Sequence, residues 1–427
     1  MNDFTKKTFA NGVRYIAAPM KGIETATILV MFGAGSRYET PETNGMSHFL
    51  EHMFFKGTQK RPTSLDITKE LDGVGAEFNA FTSKDHTGYY IKVASQHLPL
   101  AIDVVSDMLL NSKFDETELE KEKGVIVEEI NMYRDNPMMY VSDIFEEEMY
   151  KGNSLGWLIS GSHETVRAST RQAMVDYKNT HYRGDNTVVA LAGNLPDNVE
   201  QLVEAHFSLL PGEPKPKSKD NFEFPKFDLI QNEPRLNLLQ RKSEQAQIGF
   251  GFPAYSYFHP DETAQQVLAT ILGGNMSSRL FIEVREERGL AYMVRAGVNK
   301  YQDVGNFMVQ AGLDKSRLVP AIEVIRQEME KLKSQPVAED ELQRAKDYLQ
   351  GKIAISLEDS SHVAQWYSEL ELLTYEIKTP TQKIEDVQEV TSENVQRVAE
   401  ELFDPKKATL AVIGPFENAD EFRSALS

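Results

Sequence analysis

The chain of 427 residues contains no cysteine, so it forms no disulfide bond and offers a metal no thiolate ligand. Basic residues are few, because 46 Lys and Arg stand against 65 Asp and Glu and give a net charge of −19. This balance argues against nucleic-acid binding, which needs a basic face, and against acidic partners. The longest apolar run, residues 26–32, is far shorter than the roughly 20 residues that span a bilayer. We therefore expect no membrane span and no nucleic-acid partner.

The first residues also lack the marks of a targeting segment. Residues 1–7 have no apolar stretch, and two lysines with one aspartate make a poor transit peptide. We therefore expect no signal or transit peptide and a cytoplasmic location.

Residues 48–58 predict a short amphipathic helix with one polar face. At about 100° per residue, His48, Glu51 and His52 share that face, and Phe55 is its only apolar member. Two imidazoles one turn apart can converge on one tetrahedral zinc ion, and a carboxylate beside them can take a proton from zinc-bound water. The order His-x-x-Glu-His is the inverzincin signature. The opposite face is apolar and can enter a core: Met46, Phe49, Leu50, Met53 and Phe54.

The same pattern has a structural alternative, since it arises by chance in about one chain of this length in a hundred. Isolated histidines usually serve packing and hydrogen bonding. The context favours zinc, because a buried face would not be so polar. Thr43 or Asn44 can cap the start of the helix, and Gly57 can end it.

A catalytic zinc ion usually has three protein ligands and one open position, so a third ligand is needed. The predicted helix 115–133 carries several glutamates around an apolar stripe. Helical geometry places Glu122 and Glu129 at the edge of that stripe and Glu128 towards water. We therefore predict Glu129 as the third ligand. Glu122 is predicted to orient a histidine ligand or Glu129.

These motifs resemble the superfamily of pitrilysin, insulin-degrading enzyme and mitochondrial processing peptidase. In that family a His-x-x-Glu-His helix is followed by a helix with Glu-x6-Glu, whose second glutamate binds zinc; Glu122 and Glu129 match this pattern. The resemblance implies that Glu51 activates water and that Phe55 lines the pocket for the residue just after the cut. It also implies an edge strand within residues 75–83, along which an extended peptide lies. Three of its residues are predicted to bind the peptide: Asn79, Ala80 and Phe81.

Hydrophobic periodicity predicts an α+β fold, and the length favours two or more domains. The first half alternates strands and helices before helices dominate. The predicted strands are 8–18, 24–32, 76–82, 86–94 and 186–193, and the later helices are 99–111, 116–133, 137–149, 170–181 and 198–206.

The second half repeats the first at a nearly constant offset; residues 98–104, for example, match 318–324. Opposite the predicted zinc helix, the second copy reads Gln-Val-Leu-Ala-Thr at 266–270, which offers no good zinc ligand. We therefore predict two homologous domains, each a largely antiparallel sheet flanked by helices, of which the second is metal-free. The predicted domains are 1–210 and 229–427, joined by a Pro-rich, charged linker at 211–228.

The second domain also carries a pair that the resemblance singles out. Arg285 and Tyr292 match two family residues that hold substrate carbonyl groups. A guanidinium and a phenol are suitable donors to a peptide carbonyl. The alternative for Arg285 is a surface ion pair with one of three neighbours, Glu283, Glu286 or Glu287.

The resemblance spans essentially the whole chain and is strongest to the short bacterial processing-peptidase-like members. It implies a bacterial zinc metalloendopeptidase whose two domains pack as a clamshell around a chamber and cut short or unfolded peptides, presequence-like or basic. Because the chain has about half the length of pitrilysin, a homodimer is left open. The alternatives are a non-catalytic scaffold of the respiratory-complex core type, which lacks the zinc residues, and a catalytic subunit that needs a partner.

Overall fold

The computed structural model describes residues 4–215 and 224–426, which divide into two units. Each unit has one sheet with helices packed against it, so the predicted α+β fold is confirmed. The packing of the two as a clamshell around a chamber stays a prediction. The first unit comprises Met1–Ile130, Trp157–Pro225 and Ala354–Lys378, and the second comprises Asn131–Gly156, Lys226–Ile353 and Thr379–Ser427.

The sheet of the first unit has six strands, and the predicted peptide-binding strand forms one of its edges. The strands are β1 (Thr5–Thr8), β2 (Arg14–Pro19), β3 (Thr25–Phe32), β4 (Glu77–Thr82), β5 (Thr87–Ala94) and β6 (Thr187–Gly193). Their order is β1-β2-β6-β3-β5-β4, and every neighbouring pair is antiparallel except β2 with β6. The edge strand β4 pairs with β5 on its inner side.

The amino-terminal strand differs from the prediction of one strand over 8–18. The structure has a hairpin instead, in which Thr8 of β1 lies opposite Arg14 of β2. Gly12 has a φ of 90°, and the chain turns back there. Because a strand does not continue through a left-handed residue, the single-strand prediction is wrong at this point.

The sheet of the second unit repeats the strand order of the first. Its strands are β7 (Arg235–Gln240), β8 (Gln245–Ala254), β9 (Ala291–Lys300), β10 (Gly305–Asp314) and β11 (Thr409–Gly414). The order β7-β11-β8-β10-β9 corresponds to β2-β6-β3-β5-β4, and the one parallel pair, β7 with β11, corresponds to β2 with β6. This agreement is what two copies of one domain would give.

Helices make up most of the remaining described residues. None of them is both long enough and apolar enough to cross a membrane, within the part of the chain that the structure describes. The helices are α1 (Met46–Phe54), α2 (Ser64–Asp72), α3 (Leu98–Asn111), α4 (Glu116–Asp135), α5 (Pro137–Met149), α6 (His163–Ala168), α7 (Arg171–His181), α8 (Val199–Phe207), α9 (Glu262–Gly273), α10 (Leu318–Ser334), α11 (Glu339–Ser356), α12 (Ser360–Leu373), α13 (Pro380–Glu389), α14 (Ser392–Leu402) and α15 (Asp420–Leu426).

Two of these helices lie in one half of the sequence but pack in the unit that the other half mainly forms. Helix α5 belongs to the second unit and α12 to the first. In each unit, an arginine at the start of one strand of the parallel pair binds near the end of this helix. Arg14 of β2 donates to Glu371 O of α12 at 3.0 Å, and Arg235 of β7 donates to Met149 O of α5 at 2.8 Å. The predicted domain limits at 210 and 229 stay a prediction, and residues 216–223 of the predicted linker lie outside the described residues.

Helix α1 packs as its pattern predicts. All five apolar residues of its non-polar face are at most 1 % exposed: Met46, Phe49, Leu50, Met53 and Phe54. Burying a side chain of this size contributes about 1.5–3 kcal/mol relative to leaving it in water. The apolar face therefore fixes which way the polar face of α1 points.

Candidate metal centre

The start of α1 is held by a residue outside the helix. Gly45 occupies the N-cap position with a φ of 96°, where its lack of a side chain avoids strain. The buried carboxylate of Glu39 accepts hydrogen bonds from the backbone N–H groups of Gly45 at 2.8 Å and Ser47 at 2.7 Å. The predicted cap at Thr43 or Asn44 is therefore wrong; Asn44 instead donates its side-chain amide to Glu39 at 3.0 Å.

The end of α1 also lies earlier than predicted. The helix ends at Phe54, and Gly57 lies beyond it with a φ of 113°. A Cβ atom at Gly57 would lie 2.4 Å from the carbonyl oxygen of Pro62, so only glycine fits this approach. Gly57 thus turns the chain after the helix rather than ending the helix itself.

Three side chains from α1 and α4 bring their donor atoms together. The Nε2 atoms of His48 and His52 are 3.3 Å apart. Oε2 of Glu129 lies 3.6 Å from the first and 3.4 Å from the second. Among the described residues, they form the only group of three or more His, Cys, Asp or Glu side chains placed closely enough to share one metal ion. The exposed neighbour Glu128 points away, as its helical position predicts.

This donor set fits zinc. Two imidazole nitrogens and one carboxylate oxygen form a known ligand set of catalytic zinc sites, with a fourth position left for water or substrate. Ligand atoms at about 2.0–2.1 Å from a tetrahedral ion lie about 3.3–3.4 Å from one another. The three separations in this site, 3.3, 3.4 and 3.6 Å, agree with that geometry.

Glu122 orients one of the two histidines. Its Oε1 lies 2.8 Å from Nδ1 of His52, and its Oε2 lies 2.6 Å from Nζ of Lys56. A proton on Nδ1, donated to Glu122, leaves the Nε2 lone pair of His52 directed towards His48 and Glu129. The two partners proposed for Glu122 from sequence were a histidine and Glu129, and the structure places it against the histidine.

The charges of the site suit a divalent cation. Burial lowers the pKa of His52, but hydrogen bonds with Glu122 and Glu129 outweigh burial and raise it to about 9. Hydrogen bonds with His48 and His52 hold the pKa of Glu129 well below its usual range. Burial raises the pKa of Glu122, but its contacts with His52 and Lys56 lower it further than burial raises it. Both carboxylates are therefore ionised at neutral pH, and a proton competes with metal for His52.

Glu51 lies on the same face of α1 and contacts the edge strand. The hydroxyl of Thr82, the last residue of β4, donates to Oε2 of Glu51 at 2.5 Å. One helical turn further, the ring of Phe55 stacks on that of Phe78 in β4, with centroids 6.3 Å apart. Strand β4 therefore lies against α1, which carries Glu51 and His52, and against Phe55 just after the end of α1.

The other predicted peptide-binding residues of the first unit lie within the same strand. Asn79 and Ala80 are adjacent in β4, and the side-chain oxygen of Asn79 accepts from the Ala80 N–H at 2.9 Å. The ring of Phe81 meets that of His86 edge-on, with centroids 5.9 Å apart. All three residues are thus on the edge strand, where the main chain is accessible for pairing with a peptide.

Arg285 and Tyr292 meet in the second unit. The guanidinium carbon of Arg285 lies 5.1 Å from the centroid of the Tyr292 ring, which is within the range of a cation–π contact. Nε of Arg285 also lies 3.6 Å from Oε1 of Glu286, so the alternative ion pair is present as well. Tyr292 is 78 % exposed, so most of the residue is open to solvent.

Comparison with known proteins decides the family. The model of Insulinase (Peptidase family M16) matches residues 15–162, and that of the Peptidase M16 inactive domain matches residues 168–349. A Bacillus subtilis (strain 168) protein named uncharacterized zinc protease YmxG is 36 % identical over 96 % of this chain and 98 % of its own length. The chain belongs to peptidase family M16. The predicted resemblance is confirmed, and the first M16 segment contains all three donor residues.

Two further comparisons cover nearly the whole chain. The beta subunit of the mitochondrial-processing peptidase of Mus musculus is 30 % identical over 98 % of this chain and 86 % of its own length. The crystal structure of a protease from Helicobacter pylori superposes with a TM-score of 0.89 at 23 % identity, covering 97 % of this chain and all of that one. The fold shared with that protease therefore extends over 97 % of the chain.

Sequence reasoning missed three residues that support this M16 site: Glu39, Lys56 and Thr82. Lys56 could have been found, because the helix predicted from sequence extends past it and places it four residues after His52, on the same side. Glu39 and Thr82 lie in a loop and a strand, and their contacts with α1 depend on tertiary packing that the sequence pattern does not carry.

Glu122 gives a first test of the support around the metal centre. We expect Glu122→Gln to weaken zinc binding by about 10- to 100-fold, because partners of ligand histidines contribute that much to metal affinity. The zinc Kd is measured by competition with a chromogenic chelator. Glu120→Gln, on an exposed part of the same helix, serves as the control and should stay within about twofold of wild type. Equal zinc affinity in both variants would contradict the role of Glu122.

Proposed function

We propose that this M16 protein is a zinc-dependent metalloendopeptidase that hydrolyses short or unfolded peptides. The observation that carries the proposal is the convergence of the His48, His52 and Glu129 donors with Glu51 on the same helix face. The zinc protease name of the Bacillus subtilis relative and the M16 family membership support it.

In this proposal each polar side chain has one task. His48, His52 and Glu129 would hold zinc, and Glu122 would keep His52 in the required tautomer. Zinc, when bound, supplies a Lewis acid that polarises the substrate carbonyl and lowers the pKa of water. Glu51 would accept the proton of the attacking water at Oε1, because Oε2 already accepts from a hydroxyl, and return it to the leaving amine.

The edge strand provides the binding surface for an extended peptide. A substrate segment can add to β4 through main-chain hydrogen bonds, which requires that the segment is unfolded. Asn79, Ala80 and Phe81 would contact it, and Phe55 with Phe78 would receive an apolar side chain just after the cut. Arg285 and Tyr292 are proposed to donate to substrate carbonyl groups from the second unit.

The alternatives from the sequence differ in their metal content. A scaffold of the respiratory-complex core type would not need zinc, whereas the three converging donors in this chain favour binding it. A catalytic subunit that needs a partner would bind zinc and stay inactive alone. A homodimer and a cytoplasmic location stay predictions, and the bacterial relatives support a bacterial protein.

Peptide selectivity tests the proposed function. With a net charge of −19, the chain should attract basic substrates. From a library of peptides of about 10 to 30 residues, we expect preferential cleavage before hydrophobic residues with Lys or Arg upstream. Added salt should raise KM most for the basic peptides, because it screens the attraction. Cleavage sites and rates are read by mass spectrometry.

Two controls accompany the peptide-library experiment. A chelator should stop all cleavage, and a compact folded domain should be cut slowly because it offers no extended segment. Equal rates for acidic and basic peptides at low salt would refute the electrostatic part. Cleavage that persists in excess chelator, with no zinc bound, would refute the proposed zinc chemistry.

A further inference from the structure

The end of the edge strand β4 is held by a largely buried turn. Thr82 closes the strand, and the backbone N–H groups of Ser36 and Arg37 donate to the carbonyl oxygens of Ser83 at 3.2 Å and Lys84 at 3.1 Å. These bonds tie the turn after β4 to the loop after β3. The backbone at Thr82 therefore has little freedom to move.

A buried ion pair reinforces the same turn. The guanidinium of Arg37 donates to Asp85 at 3.0 Å, and both side chains are at most 3 % exposed. A charge pair that is buried so fully holds its geometry, because separating it would leave an unpaired charge in the interior. The turn that follows Thr82 is thus a rigid support rather than a mobile loop tip.

The Thr82 hydroxyl projects from this support onto Glu51. Its Oγ1 donates to Oε2 of Glu51 at 2.5 Å. Within the described residues, Glu51 accepts no other side-chain hydrogen bond. The terminal torsion of a glutamate is broad and poorly determined by itself, so this bond decides the orientation of the carboxylate plane. A charge-assisted bond of this length is among the stronger kinds of hydrogen bond.

We propose that Thr82 is a positioning residue for peptide hydrolysis, which holds Oε2 of Glu51 and leaves Oε1 free to accept a proton. This inference rests on the proposed function. Thr82 is also part of the strand to which a peptide would add. The same rigid segment would therefore position both the base and the peptide. A misoriented base slows the chemical step without changing peptide binding, because the main-chain pairing of β4 is untouched.

The test compares one substitution that removes the Thr82 hydroxyl with one that keeps it. Thr82→Val keeps the branched shape and the strand preference but removes the donor. We expect its kcat to fall by about ten- to a hundredfold with KM within about twofold, since the carboxylate is no longer held in the orientation that proton transfer needs. Thr82→Ser keeps the donor and should retain kcat within about threefold of wild type. Zinc affinity, measured separately, should be equal in all three proteins.

The cross-strand neighbour provides a matched control. Thr87 lies opposite Thr82 in the β4–β5 pair, and its hydroxyl donates to Ala34 O at 2.8 Å, away from Glu51. Thr87→Val should lower the melting temperature but leave kcat within about twofold of wild type, because it loses an equivalent hydroxyl without reaching the base.

The outcomes separate this inference from the proposed function. A Thr82→Val kcat equal to wild type, or a Thr82→Ser kcat as low as that of Thr82→Val, would overturn the role of Thr82 alone. A wild-type protein that binds zinc and cuts no peptide would overturn the proposed function instead. Should Thr82→Val not fold by circular dichroism, Thr82→Ala carries the same expectation and the same criterion.

Discussion

Replacing Glu51 by glutamine should leave zinc bound and reduce kcat/KM by about a thousandfold or more. The amide has the size of the carboxylate and can still accept the Thr82 hydrogen bond, so the local structure should persist. It cannot accept a proton, however, and the attacking water is then not activated. Glu51 is outside the group of three converging donors, which is why metal content should not change. Cleavage of a fluorogenic peptide and zinc analysis of the same sample measure both effects.

The matched control for this substitution is Glu42→Gln, in the exposed segment before α1. It removes one carboxylate without touching the site, and its kcat/KM should equal that of wild type. The Glu51→Gln protein should also bind peptides without releasing products, so it should capture substrates from a peptide mixture. Activity within about tenfold of wild type would show that Glu51 is not the base.

Glu129→Gln should lose zinc. A neutral amide oxygen replaces the anionic ligand that lies 3.4 and 3.6 Å from the two imidazole nitrogens. Because partners of ligands already change metal affinity by about 10- to 100-fold, loss of a ligand itself should cost at least about a hundredfold. Zinc content after dialysis, determined by elemental analysis, and peptide cleavage should fall together.

Its control is the adjacent residue, since Glu128→Gln removes the same charge from an exposed position of α4. That variant should keep zinc and activity, which separates ligation from the general effect of an acidic helix. If Glu128→Gln loses zinc and Glu129→Gln keeps it, the assignment of the third donor is wrong.

The sequence predicted the candidate metal ligands and base better than the residues that hold them in place. Helical angles alone place His48, Glu51 and His52 opposite the apolar face of α1, and the structure buries that face. The same geometry puts Glu129 rather than Glu128 at the edge of the stripe of α4. A periodic pattern fixes the direction of a side chain relative to its own helix. These local predictions therefore also hold in the folded protein.

The contacts that the sequence did not predict share a physical cause. The cap of α1 comes from Glu39 in a preceding loop, and the partner of Glu51 comes from the end of a strand, so both depend on how separate elements pack. Helices α5 and α12 each show an amphipathic pattern, yet that pattern does not say which sheet will cover the apolar side. Amphipathicity predicts burial but not the partner.

One titration tests the account most directly. Protein freed of metal by a chelator is supplied with increasing zinc, and bound zinc and peptide cleavage are measured in the same tubes. With a single three-donor group among the described residues, we expect cleavage to rise in proportion to bound zinc and to level off at about one ion per chain. Full cleavage in the metal-free protein, or tight binding of zinc that restores no cleavage, would contradict it.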